Sequence, residues 1–193
     1  MRGHTRRTLL KGFGSALGIG TLAGCTGAAK EPDAIQYVVA FHWGFRLVAP
    51  DGTVTDQLEL APDTDLRVHA VNLEPIADGK ALSVPDPVSR TVSEQYSAWE
   101  DASLDRIEAK VGLGRDELEK KLDAAESAQQ QHVVTLIGPK GGVLFNDPLG
   151  VHDTHPVTER VLLREPGAYD LECRGYCGFG HAQMELPKAI VVG

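Results

Sequence analysis

The stretch CRGYCGFGHAQM, residues 173–184, places Cys173, Cys177, His181 and Met184 within one short segment. Thiolate and thioether sulfurs are soft ligands, and thiolates with imidazole and a weak methionine suit copper in electron-transfer sites. Zinc fits poorly, because methionine is not among its usual ligands and four good donors are not evident here. Iron–sulfur clusters normally take four cysteines, and the chain has 3 in all. A Cys173–Cys177 disulfide is the alternative. An exported protein permits one, but it would leave His181 and Met184 without a role.

The third cysteine, Cys25, has a separate explanation. The first eleven residues are basic, and the pair Arg6 and Arg7 precedes an apolar run from Phe13 to Ala23. That run is too short to span a bilayer and reads as an export signal. The twin arginines resemble a Tat signal, and LAGC at 22–25 resembles a lipobox in which Cys25 is lipidated after cleavage; an uncut signal anchor is the other reading. Either way residues 1–25 are a signal, 26–33 a linker, and the rest is expected outside the cytoplasm, held to the outer face of the cell membrane. No later segment has the apolar length of a membrane helix.

The whole chain carries 19 basic and 27 acidic residues, and beyond residue 25 the balance is 15 against 27, or about −12. Such an acidic chain argues against nucleic acid. It could steer a basic partner, or reflect adaptation to salt.

The elements that must position the cluster are strands. IQYVVAFHWGFRLVAPDGTVTDQLELAPDTDLRVHAVNL contains three runs rich in Val, Leu and aromatics, separated by APDG and APDTD, the punctuation of short antiparallel strands. EPIADGKALSVPDPVSR then reads as a loop. A helix comes next with Tyr96, Trp99, Leu104, Ile107 and Val111 on one face, ended by Gly112 and Gly114. A second helix is expected from Asp116 to about Gln130, with Leu118, Leu122 and Ala125 on one side and the pairs Asp116–Lys120 and Glu117–Lys121. The aromatic stripe suggests packing onto the sandwich. Strands resume with HVVTLIG, GVLFND, ERVLLREPGAYDLEC and KAIVVG. The expected fold is all-β, a sandwich interrupted once by a helical hairpin over about 75–131. Alternation of Tyr169, Leu171 and Cys173 puts Cys173 on the inward face of its strand, with the other candidate ligands on the loop before the last strand.

With these residues in place, the sequence resembles the CuA domain of cytochrome c oxidase subunit II, whose family binds a dinuclear copper centre in a CxxxCxxxHxxM loop of a Greek-key cupredoxin sandwich. The loop match is complete. The resemblance extends to PGAY at 166–169 and to VVAFHWGFRLVAPDG, similar to the family's aromatic first strand, and it covers about two thirds of the chain, with the helical insertion outside it.

The resemblance implies Cys173 and Cys177 as bridging thiolates, His181 and Met184 as terminal ligands, and a backbone carbonyl ligand at Gly175. Much of the family has Glu at this last position, where its side chain helps hold magnesium; the glycine here keeps the carbonyl and loses the side chain. A second histidine ligand comes from an upstream loop in the family. His132, which opens a strand after the helical insertion, is the preferred candidate over His152 and His155, while His42 and His69 fall within expected strands and read as structural or surface residues. Trp43 corresponds to the aromatic residue through which electrons are thought to reach the family's copper, and a plain core role is the alternative. A lipid on Cys25 would stand in for the membrane helix of many members.

The function implied by this resemblance is that of an electron-accepting subunit of a heme-copper terminal oxidase. Such a subunit would take electrons from cytochrome c or a blue copper protein and deliver them to heme in a membrane-bound subunit I. The same centre serving a nitric or nitrous oxide reductase, or acting as a carrier, is the nearer rival. A copper chaperone with a thioredoxin-like fold is the more distant one, and it would need strand–helix alternation that the sequence lacks.

Overall fold

The structure is a computed structural model that describes residues 30–126 and 131–193. The expected signal with Cys25, the first part of the linker, and the end of the second expected helix at 127–130 lie outside the described residues. Among the described residues no helix is long and apolar enough to cross a membrane.

Among the described residues ten strands form two sheets: β1 Ala34–Phe41, β2 Gly44–Val48, β3 Val54–Thr55, β4 Leu58–Leu60, β5 Thr64–Asn72, β6 His132–Ile137, β7 Val143–Leu149, β8 Val157–Leu163, β9 Gly167–Cys173 and β10 Glu185–Val192. One sheet runs β3-β2-β1-β5-β8 and the other β4-β10-β9-β6-β7. Between β5 and β6, among the described residues, lie the helices α1 Glu74–Ala77, α2 Asp86–Val111 and α3 Arg115–Glu126. The chain is thus the cupredoxin-like sandwich with an inserted helical pair that the sequence led us to expect. The turn signals predict antiparallel pairing for the first runs. Strands β1 and β2 are antiparallel, but β1 pairs with β5 in parallel, because the chain crosses to the other sheet as β4 between them. The two largely antiparallel sheets leave no place for the βαβ core of the chaperone alternative.

The sequence of β1 explains how the insertion attaches. YVVAF is continuously apolar, whereas a strand with one wet face alternates. Val38 and Ala40 face the core between the sheets, packed with Phe45, Leu47, Leu136 and Leu171. Tyr37, Val39 and Phe41 face the opposite way, against Val88, Val92 and Trp99 of α2. Strand β1 is therefore buried on both faces, and the insertion supplies its second cover.

Helix α2 runs long because its buried positions, Val88, Val92, Trp99, Ser103 and Ile107, recur at helical spacing. Gly112, at φ 69°, ends it in the left-handed conformation that glycine adopts freely, and its N–H bonds back to the Glu108 carbonyl. The stretch from Glu74 to Arg90, read as loop, instead contains α1 and the first turn of α2; Pro75 and Pro87 occupy opening helical positions, where a missing N–H costs nothing. Val111, placed on the buried face by periodicity, is exposed. The pairs Asp116–Lys120 and Glu117–Lys121 are not closed. Such exposed pairs contribute about 0–1 kcal/mol, too little to immobilise long side chains. Arg115 instead reaches back to Asp101, Asp105 and Glu108 on α2.

The outer part of the insertion closes over the β1–β2 turn. Trp43 in that turn is 0% exposed and packs with Ile107, Leu118 and Leu104. Shortening Ile107 to alanine should cost about 2–5 kcal/mol of stability. In a Trp99→Phe background it should also red-shift the emission of Trp43 as water reaches the indole. Equilibrium denaturation followed by fluorescence checks both, and an unshifted spectrum would mean that these helices do not cover Trp43.

Candidate metal centre

Strand β9 ends on the inward-facing Cys173, and β10 begins at Glu185, so residues 174–184 bridge two adjacent strands of one sheet. The bridge is tied at its mouth: the Cys173 amide bonds to the Met184 carbonyl at 3.0 Å and the Arg174 amide to the Val133 carbonyl at 3.1 Å. A single 3-10 turn, His181–Gln183, carries the loop back, with the Gln183 amide on the Gly180 carbonyl at 2.9 Å. Two glycines are required by close approach. A Cβ on Gly180 would lie 2.2 Å from the Trp43 ring, and one on Gly175 would lie 2.3 Å from Val133 Cγ2. The second contact gives a physical reason for glycine at 175: a glutamate side chain would collide with β6.

The loop and β6 bring six lone-pair donors together. Both cysteines are free and buried, with their sulfurs 3.6 Å apart, well beyond disulfide bonding. Cys177 Sγ is 3.6 Å from His181 Nδ1 and 3.7 Å from Met184 Sδ. Cys173 Sγ is 3.1 Å from the Gly175 carbonyl oxygen and accepts the Val133 N–H at 3.4 Å. His132, the first residue of β6, has a ring nitrogen within 4.8 Å of both sulfurs. The pairing of Val134 with Cys173 across β6 and β9 sets that approach.

His132 is 2% exposed, and neither of its ring nitrogens has a hydrogen-bond partner. Buried polar atoms are normally paired, so an orphaned imidazole needs a reason. Two thiols, a thioether, a carbonyl and two imidazoles aimed at a common region are electron-rich throughout. A soft or borderline cation fits that donor set, and the site fits copper.

The electrostatics agree. The neighbouring Cys177 thiol holds Cys173 well below the ordinary thiol range, at about 3, against the effect of burial and with help from His132 and the Val133 N–H. Its partner moves the opposite way: contact with Cys173 and burial raise Cys177. The sulfurs thus share one proton, as close like charges do. Burial would lower His132, but the Cys173 thiolate and the Glu74 carboxylate beside it raise it. Burial likewise works against ionisation of Glu74, yet His132 and His42 outweigh it and hold that carboxyl at about 2.

The remaining candidates lie elsewhere. His152 and His155 are exposed in the connection between β7 and β8, and neither joins the cysteine group. His69 stacks on Tyr37 with ring centroids 5.0 Å apart and meets Thr158 Oγ1 at 2.8 Å. His42, expected inside a strand, occupies the tight turn after β1 and is buried, with Nδ1 3.0 Å from Glu74 Oε1. Two neighbours of the site had no sequence signal. Glu74 opens α1 and approaches His132, and Arg106 reaches from α2 to the Trp43 carbonyl at 2.8 Å. Of the loop's aromatics, Tyr176 is 72% exposed and Phe179 38%.

No family model and no curated protein matches the sequence. Among solved structures, the chain is similar to a heme-copper terminal oxidase determined as a dimer by cryo-EM, at 13% identity and TM-score 0.40, covering 83% of this chain and 65% of that one. It is also similar to the periplasmic domain of subunit II of cytochrome oxidase from Bradyrhizobium japonicum, at 11% identity and TM-score 0.40, covering 85% and 86%. A purple cupredoxin from Nitrosopumilus maritimus is similar at 13% identity and TM-score 0.34, covering 83% of this chain and 100% of that one. The chain spans 65% of the length of the oxidase chain it matches. Identities and scores this low carry no function across.

A reduced, metal-free chain bearing Cys25→Ser should show the ultraviolet absorption of one thiolate at neutral pH. That absorption should persist on acidification and disappear as pH falls through about 3, where Cys173 takes up its proton. Cys173→Ser should abolish it. A protein whose thiolate absorption develops only at ordinary alkaline thiol pH would contradict the shared-proton pair.

Proposed function

We propose that this chain is an electron-transfer protein built around a dinuclear CuA centre, acting as a subunit II-like component of a heme-copper terminal oxidase. The observation that carries the proposal is the pair of free, buried sulfurs 3.6 Å apart, ringed by His132, His181, Met184 and the Gly175 carbonyl. A mononuclear electron-transfer copper takes two histidines, one cysteine and a weak axial ligand. The second cysteine is surplus to that requirement, whereas a pair of coppers would use both thiolates, with His132, His181, Met184 and the Gly175 carbonyl to hold them.

Bound there, a copper pair would supply one-electron redox chemistry. The protein's part is to hold the donors still and keep water from the sulfurs. The mount is rigid because the loop is tied at both ends to the strand ladder, and a fixed set of ligands lowers the rearrangement that accompanies electron transfer. Cys173, Cys177 and Met184, all less than a tenth exposed, exclude solvent.

Trp43 lies against Gly180 of the ligand loop, which favours the role of electron relay proposed for it. Covered by Ile107 and Leu118, the indole cannot touch a donor itself. A cytochrome c or blue copper donor would therefore meet the outer face of the insertion or the exposed loop aromatics. In this proposal electrons leave toward heme in a membrane-bound subunit I, and a lipid on Cys25 keeps the domain at the outer face of the membrane.

Copper analysis with electron paramagnetic resonance tests the centre. The full chain reconstituted with copper should bind two ions per chain and give a seven-line hyperfine pattern from one electron shared between them. Cys173→Ser or Cys177→Ser should lose that pattern. One ion with an ordinary four-line spectrum in the wild type would rule out the dinuclear centre. Trp43→Phe should keep full copper content and slow reduction by a donor protein; unchanged rates would remove the relay.

A further inference from the structure

His132 stands among the donors, but a buried imidazole also needs something to fix which nitrogen it presents. Helix α1 brings a carboxylate to it. Glu74 Oε1 is 3.9 Å from His132 Nε2 and 3.0 Å from His42 Nδ1. The His42 ring stands edge-on to His132, with centroids 6.4 Å apart at 88°. The backbone of Glu74 is pinned in turn, its N–H donating to Asn72 Oδ1 at 3.0 Å, and Asn72 donates from its side chain to the Gly150 carbonyl at 3.4 Å. The carboxylate therefore belongs to the fold: the end of β5 fixes its backbone and the β1–β2 turn fixes its side chain.

We propose that Glu74 is a positioning residue of the metal centre, holding His132 through Nε2 so that Nδ1 is the nitrogen presented to the sulfur pair, with His42 holding Glu74. This rests on the proposed role of His132 as a metal ligand. The orphaned nitrogens of His132 support the assignment. Closing the 3.9 Å gap to Glu74 would give Nε2–H its partner and leave the other nitrogen to the metal. A carboxylate on the far side of a ligating imidazole fixes its tautomer and raises its basicity, which favours the more highly charged state of the metal. The helical insertion would then do more than cover the sheet, since its first residue would tune the centre.

The test uses Glu74→Gln and Glu74→Asp in the full chain, with the histidine ring-nitrogen resonances of the copper-free protein, copper content, and reduction potential as readouts. Glu74→Gln should still bind the wild-type number of coppers, with about tenfold to a hundredfold weaker affinity. It should raise the potential and move the His132 nitrogen resonances, and Glu74→Asp should restore part of each. His42→Gln, a milder change that leaves every proposed ligand intact, should shift the potential in the same direction by less, and it stands in if Glu74→Gln does not fold. Variants that lose stability but keep wild-type potential and His132 resonances would overturn the positioning role while leaving the copper centre intact. A wild-type chain that binds no copper would overturn the metal-centre proposal itself, and this inference with it.

Discussion

Two sulfur atoms sit side by side in the apolar end of this sandwich without bonding to each other, and much of the local structure answers to them. A thiolate cannot be left among Leu and Val side chains uncompensated. Here one sulfur is compensated by the proton of the other, by the Val133 N–H and by the His132 imidazole beside it. Each of these comes from a different segment. The pair therefore exists only when β6, β9 and the ligand loop are assembled, and the same assembly leaves a gap between donors that suits a cation in place of the shared proton.

Around that pair the structure is layered by distance. The loop ligands come from a single short bridge between adjacent strands, and its glycines let it press against Trp43 on one side and Val133 on the other. Beyond them stand His42 and Glu74, which approach His132 from the β1–β2 turn and from α1. Beyond those again lie α2 and α3, whose apolar faces close over Trp43. The insertion is thus not an appendage. It covers the outer face of β1, covers the aromatic residue nearest the loop, and reaches His132 through Glu74.

With Trp43 sealed, the aromatic side chains exposed on the ligand loop are Tyr176 and Phe179. Tyr176 lies over His181, with ring centroids 5.9 Å apart, so the exposed edge of the loop is aromatic right up to a proposed ligand.

The sequence alone was enough to read the loop and the layer architecture. Cys173, Cys177, His181 and Met184 are close along the chain, so chain connectivity already forces them together and their chemistry can be named from spacing. Alternation in GAYDLEC gave the inward direction of Cys173, and helical periodicity found α2 and its buried Trp99 and Ile107. Other features depend on register between segments far apart in sequence, which no local pattern encodes. The pairing of Val134 with Cys173 is what brings His132 to the sulfurs and leaves His152 and His155 outside. The tight turn after Phe41 moved His42 from an expected strand into contact with Glu74, which itself looked like part of a loop. The aromatic stripe of α2 suggested packing onto the sandwich, but only the packed structure showed that β1 is the strand it covers. Local spacing determines which ligands can share a loop; long-range pairing decides which distant side chains meet them, because burial selects among registers that the sequence leaves equally open.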